Sequence, residues 1–203
     1  MKKLTGILVA IVIALTAVAN DGNGKKSFDV DTKASKVYWT GKKVTGEHTG
    51  YLAVKSGTVL VEGGKVLNAD VNLDLSTIEC TDLTGEWKDK LVGHLKSDDF
   101  FSVEKHPNAT FKITAVKDAG DKNTVVGDLT IKGITHEISF PADVKVAGET
   151  LTAIGTASID RTKWNIKYNS GKFFDSLGDK MIYDEFEIKF ELTAVAGETL
   201  SLK

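Results

Sequence analysis

The sequence predicts an all-β fold, an antiparallel up-and-down barrel of about eight strands with one short α-helix. Three observations carry this. Apolar and polar residues alternate over Lys65–Leu75, with Leu67, Ala69, Val71, Leu73 and Leu75 on one face and Asn68, Asp70, Asn72 and Asp74 on the other. Similar runs joined by short turns fill most of the chain. One segment alone has helical spacing, where Trp87, Leu91 and Leu95 recur every four residues.

The chain opens with a basic Met1-Lys2-Lys3, an apolar run over Leu4–Val18 and the small-residue signal Ala17-Val18-Ala19. This pattern predicts a signal peptide over 1–19, cut after Ala19, and a periplasmic or secreted protein. The apolar run is short for a membrane span, so no stable membrane insertion is expected after cleavage. Residues 20–30 are polar and Gly-rich at their start and read as a flexible leader; 31–195 is the barrel domain and 196–203 a C-terminal tail. Loss of Lys2 and Lys3 takes the 26 basic residues to 24 against 28 acidic ones, a net charge of about −4 that argues against nucleic-acid binding. Cys80 is the sole cysteine. The exported fold must therefore be held by its core without an internal disulfide.

Strands are expected at Val37–Thr40, Tyr51–Val54 and Val59–Val61, the last entering a Gly63-Gly64 hairpin turn. After Lys65–Leu75 comes the helix, in which Gly93 points to close approach of another backbone. His106-Pro107-Asn108 makes a turn. Phe111, Ile113 and Ala115 then share a phase, followed by Val125, Gly127, Leu129 and Ile131. Ile134, His136, Ile138 and Phe140 come next, with Pro141 as the terminator. Leu151, Ala153, Gly155, Ala157 and Ile159 form the next face, and Ile182, Asp184, Phe186, Ile188, Phe190 and Leu192 the last. A sandwich is the main alternative. The inward phase includes Ala53, Ala69, Ala115, Gly127, Ala153, Gly155 and Ala157, small residues that leave room for a cavity unless phenylalanines fill it. The recurrence of Val146–Leu151 as Val195–Leu200 is chance reuse of a turn string.

Motifs for chemistry are sparse. His48, His94, His106 and His136 never stand two or four apart, so no zinc site is encoded locally, and neither a P-loop nor a G-x-S-x-G string occurs. Asp175, Asp179 and Asp184 lack calcium-loop spacing and read as solvated loop charges. Arg161, the only arginine, suits a structural anchor at a barrel end, its planar fork matched to a carboxylate or to carbonyls. His94 has Asp98 or Asp99 as partner. No catalytic set, metal or cofactor is expected.

Several strings together resemble the YceI-like family of lipid- or polyisoprenoid-binding proteins with a lipocalin-like barrel. They are Gly93-His94-Leu95-Lys96-Ser97-Asp98-Asp99-Phe100-Phe101, Val103–Pro107, Thr110-Phe111, Gly127–Thr135 and Ile159–Thr162, within roughly Asp31–Ala194. Where many members carry Arg-Asp before the histidine block, this chain has Leu91-Val92. The resemblance implies an exported, non-enzymatic protein that holds a polyisoprenoid or fatty chain in an apolar tunnel. Trp39, Leu73, Phe111, Ile113, Leu129, Ile131, Phe186 and Ile188 are then wall candidates. Leu91, His94, Leu95, Phe100 and Phe101 stand near the helix end, and His136 completes the ligand-facing set. Two other readings stay open: an interaction module with no lipid ligand, and an enzyme using His94 or His136 as acid or base. Oligomeric state is open, a homodimer included.

Overall fold

β4 (Lys65–Cys80) shows how the alternation becomes a wall. Ala69, Val71 and Leu75 are buried and the polar residues between them face out, as period two requires. After Leu75 the phase slips, so that Ile78 and Cys80 are the next buried side chains. The computed structural model describes residues 24–118 and 122–197. Its other elements are β1 (Lys25–Val30), β2 (Lys36–Lys43), β3 (Gly46–Glu62), α1 (Gly85–Lys96), β5 (Asn108–Asp118), β6 (Asn123–Ile131), β7 (Ile134–Ala147), β8 (Thr150–Asp160) and β9 (Ile182–Ala196). The signal-peptide reading of 1–19 lies outside the described residues.

Every consecutive pair from β2 to β9 is antiparallel, and β9 returns to β2 with Trp39 opposite Ile188. That closure makes a barrel of eight staves and excludes the sandwich. The stave between β3 and β9 is in two pieces. β2 lines up with Gly46–Leu52 and Ile182–Glu191, while β1 lines up with Thr58–Glu62 and Ala194–Ala196. The joint is the turn Asp31–Ser35, where the Asp31 carboxylate accepts the N–H groups of Lys33 (2.9 Å) and Ala34 (3.0 Å). Hydrogen bonds from Ala34 and Lys33 hold the Asp31 carboxyl below its usual pKa.

Several expectations need correction. Residues 25–30, read as the end of a flexible leader, form β1, whose Phe28 is fully buried. The two strands expected over 51–61 are one bent strand, β3. Its register shifts between Val54 and Ser56, and Gly57 lies so close to Val30 that a Cβ would come within 2.7 Å of it. Ala53, expected inward, points outward by plain alternation between the buried Leu52 and Val54, and a slip near Val66 leaves Leu67 exposed. Pro141 does not end β7. Pairing with β8 begins only at Ala142, so the missing N–H falls where that ladder has not yet started. On α1, Leu95 is buried but Trp87 is 71% exposed, and among the described residues a Cβ on Gly93 would meet nothing within 4 Å, so the expected close backbone approach is not found there.

Candidate functional site

The barrel interior is hollow because its large side chains lie along the wall. Three glycines, each on the strand next to the one that carries a large ring, make this geometry possible. A Cβ on Gly50 would meet the Trp39 indole at 2.6 Å, one on Gly127 the Phe111 ring at 2.6 Å, and one on Gly155 the Phe190 ring at 2.6 Å. Each glycine thus gives a neighbouring ring a flat seat. Trp39 is further fixed by its indole N–H, which donates to the Glu79 carbonyl at 3.1 Å. Along β9, Phe186, Ile188, Phe190 and Leu192 point inward yet are only half-buried, since they face open space.

That space is a cavity of about 220 Å³ with an almost wholly apolar lining. Its wall along β9 runs from Ile182 to Ala194. At about 3.3 Å per residue and a strand tilt near 40°, that is roughly 30 Å along the barrel axis. Val30, Val59 and Val144 line the end remote from the helix, and Leu95, Phe100, Phe101 and Ile166 the helix end.

The helix end is built by the 93–107 segment and by the chain after β8. Ser97 stops α1 with its hydroxyl on the His94 carbonyl at 2.8 Å. The Asp98 carboxylate then accepts from the Ser102 hydroxyl and from Lys105 Nζ, and Lys132 Nζ donates to the Asp98 carbonyl at 3.0 Å. This turn inserts Phe100 and Phe101 into the barrel, where Phe101 meets Phe186 edge to face at 6.4 Å. His94 Nε2 donates to Asp99 at 3.1 Å, and its ring stands edge-on to Phe100 and Tyr168. Beyond β8 a single helical turn, Arg161–Trp164, buries Trp164 completely with its N–H on the Leu129 carbonyl. His136 donates to the Lys163 carbonyl at 2.9 Å and braces Trp164.

Arg161 is buried and lines the cavity. Its Nε, Nη1 and Nη2 donate to the carbonyls of Tyr183 (3.1 Å), Ile166 (2.8 Å) and Ile182 (3.0 Å). Asp184 stands 3.7 Å from Nη2, its Oδ1 buried without a hydrogen-bond partner, so this residue is not the solvated loop charge expected from spacing. Burial pushes the guanidinium pKa down, while Asp184 and Asp160 oppose that shift. The expected anchor role is what these contacts perform.

The YceI-like domain model matches residues 28–194, almost the whole barrel. The chain belongs to the YceI-like family. A UPF0312 protein of Vibrio parahaemolyticus is 30% identical over 182 residues, covering 82% of this chain and 89% of that one. Another from Staphylococcus aureus is 34% identical over 148 residues, 67% of this chain and 77% of its own. Among solved structures, Burkholderia cenocepacia BcnA superposes with TM-score 0.66 and 28% identity over 82% of this chain and 99% of that chain. A polyisoprenoid binding domain from Saccharophagus degradans gives TM-score 0.60 over 85% and 99% of the two chains. At 14% identity the latter shows the fold alone.

In this YceI-like barrel, Trp39, Leu73, Phe111, Ile113, Leu129 and Ile131 line the cavity. So do Leu95, Phe100, Phe101, Phe186 and Ile188. Leu91, His94 and His136 do not: Leu91 packs at the helix surface of the core, and the two histidines are spent on Asp99 and the Lys163 carbonyl. Ile166 was not foreseen, since it sits in a loop with no periodicity. Away from the cavity, Asp82 accepts from the Thr49 N–H (2.8 Å), His48 Nδ1 (2.7 Å) and the Cys80 thiol (3.3 Å). Burial works against its ionisation, but these three donors outweigh it and hold the carboxyl at about 2. Burial, then the bond to Asp82, pushes the Cys80 thiol up.

Proposed function

We propose that this protein is exported and carries or sequesters a polyisoprenoid or long acyl chain inside the barrel, acting without covalent chemistry. The observation that carries this reading is the hollow, apolar core. At about 24 cal/mol per Å³, an unfilled 220 Å³ cavity forfeits on the order of 5 kcal/mol of stability. A core selected for stability alone would be filled. Chain burial reverses the sign: at about 0.8 kcal/mol per methylene, three isoprene units offer on the order of 10 kcal/mol, of which immobilisation consumes several. Family membership and the polyisoprenoid binding named for the Saccharophagus degradans domain support the same ligand class.

The test is mass spectrometry of an organic-solvent extract of the mature protein, purified from its own host without detergent, beside a mock purification. A stoichiometric prenyl or acyl species is expected. A folded protein that yields none, and takes up neither prenyl nor acyl lipid on titration, overturns the reading in favour of an interaction module.

A further inference from the structure

β2 and β9 are joined along most of their length, but not near the helix end. Gly41 stands opposite Phe186 and Lys43 opposite Ile182, so the single residue Lys42 faces the three residues Tyr183, Asp184 and Glu185. The ladder is therefore interrupted for that stretch. Regular pairing resumes below at Gly41, and above it the Val44 N–H donates to the Met181 carbonyl at 3.2 Å. The result is a window bounded on both sides by backbone pairing.

The cavity reaches this window. Of the described residues that line it, three are exposed to solvent: Lys42, Tyr183 and Glu185. All three belong to the break. The remainder of the lining is buried or half-buried. The break is also a built feature, because the Ile182 and Tyr183 carbonyls are both taken by Arg161 from inside the barrel. Carbonyls left unpaired at a wall defect would otherwise destabilise it. Gly41 contributes by absence, since a Cβ there would meet nothing within 4 Å.

We infer that the gap between β2 and β9, rimmed by Lys42, Tyr183 and Glu185 and pinned by Arg161, is the lateral portal through which an apolar chain passes into the barrel. The polar rim lets a headgroup stay in water while the chain threads behind it. Its position in the side wall spares the helix-end plug from unfolding during exchange. The identity of what passes rests on the lipid reading above; the opening itself does not.

A portal controls rates more than affinity, which separates it from a merely ligand-touching surface. In a Cys80→Ser background, where the serine keeps a donor for Asp82, Lys42→Cys is modified with a bulky methanethiosulfonate reagent that reductant removes. The probe is cis-parinaric acid, a polyene fatty acid whose fluorescence rises on leaving water. Association and dissociation rates are both expected to fall about ten-fold on modification and to recover on reduction. The same modification of Lys65→Cys, at the far end of the barrel, is expected to change neither. Unaltered rates at Lys42→Cys, or slowing at Lys65→Cys, overturn the portal. A second readout needs no lipid. Ile188→Cys on the cavity wall is alkylated by N-ethylmaleimide, and Tyr183→Ala is expected to raise that rate about ten-fold by widening the window. An unchanged alkylation rate refutes the portal even if parinaric acid fails to bind, an outcome that would by itself count only against the lipid reading.

Discussion

Replacing Arg161 by methionine keeps the buried volume and removes the guanidinium. Three hydrogen bonds to main-chain carbonyls are lost, and those of Ile166, Ile182 and Tyr183 are left without donors. Hydrogen bonds to a charged group are worth about 1.5–3 kcal/mol each, or roughly 4–9 for the set. Against this, relief from burying a cation returns several kcal/mol. The expected net loss is about 4 kcal/mol, which for a domain of this size lowers Tm by roughly 8–16 °C. Arg161→Lys should recover little, since a compact ammonium cannot reach three divergent carbonyls. Asp184, 3.7 Å away, loses its counter-charge in the single variant. Arg161→Met with Asp184→Leu should therefore be less damaging than the sum of the two changes. Urea denaturation followed by circular dichroism, with thermal melts beside it, measures the four variants, Asp184→Leu alone included, against the parent protein. A loss under about 1 kcal/mol for Arg161→Met would show that the carbonyls find other partners and that the anchor argument is wrong.

Other expectations concern separate parts of the molecule. The Asp82 carboxyl is depressed from an ordinary value near 3.8 to about 2, so its contribution is fully present above about pH 4 and is lost as pH falls through 2. Allowing for its partial exposure, Asp82→Asn should cost about 1–2 kcal/mol at pH 7 and only a few tenths of a kcal/mol at about pH 2, read from urea midpoints at both pH values. Gly93→Ala fills open space in a helix and should stabilise by about 0.5–1 kcal/mol in the same assay. Gly155→Ala meets Phe190 at 2.6 Å and the Pro141 carbonyl at 2.9 Å. It should destabilise by about 1–3 kcal/mol and weaken parinaric acid binding in a fluorescence titration, because the ring can yield only into the cavity.

The barrel was legible where one face is steadily buried. In β6, β8 and β9 every inward side chain recurs at period two, so Val125, Leu129, Ile159 and Phe186 announce their own strands. Bulges defeat that signal. Leu67 keeps the alternation of Ala69 and Val71 in sequence, but the register slip between Val66 and Asn68 leaves it outside. β1 offered just two buried side chains, Phe28 and Val30, in six residues, too few for a period. Trp39 and Phe111 were readable as wall. The reason they leave the lumen open was not, because Gly50 and Gly127 meet them from other strands. His94 and His136 looked ligand-facing by phase, whereas the chain spends both on fixing loops at the helix end. The window between β2 and β9 left no trace in the pattern, since Ile182, Asp184 and Phe186 alternate straight through it.

The two-piece stave of β1 and β2 makes this barrel separable. A chain shortened to begin at Thr32 would retain β2 and the helix-end closure, but Thr58–Glu62 and Ala194–Ala196 would become bare edges beside the slot vacated by Phe28. Bare edges recruit strands from any chain nearby, so the shortened protein is a seed for association through added strands. The same slot is a socket for a tag. A free peptide spanning Lys25–Val30 carries the matching backbone register and the Phe28 side chain, and any cargo fused to it could be docked onto the shortened barrel by strand complementation.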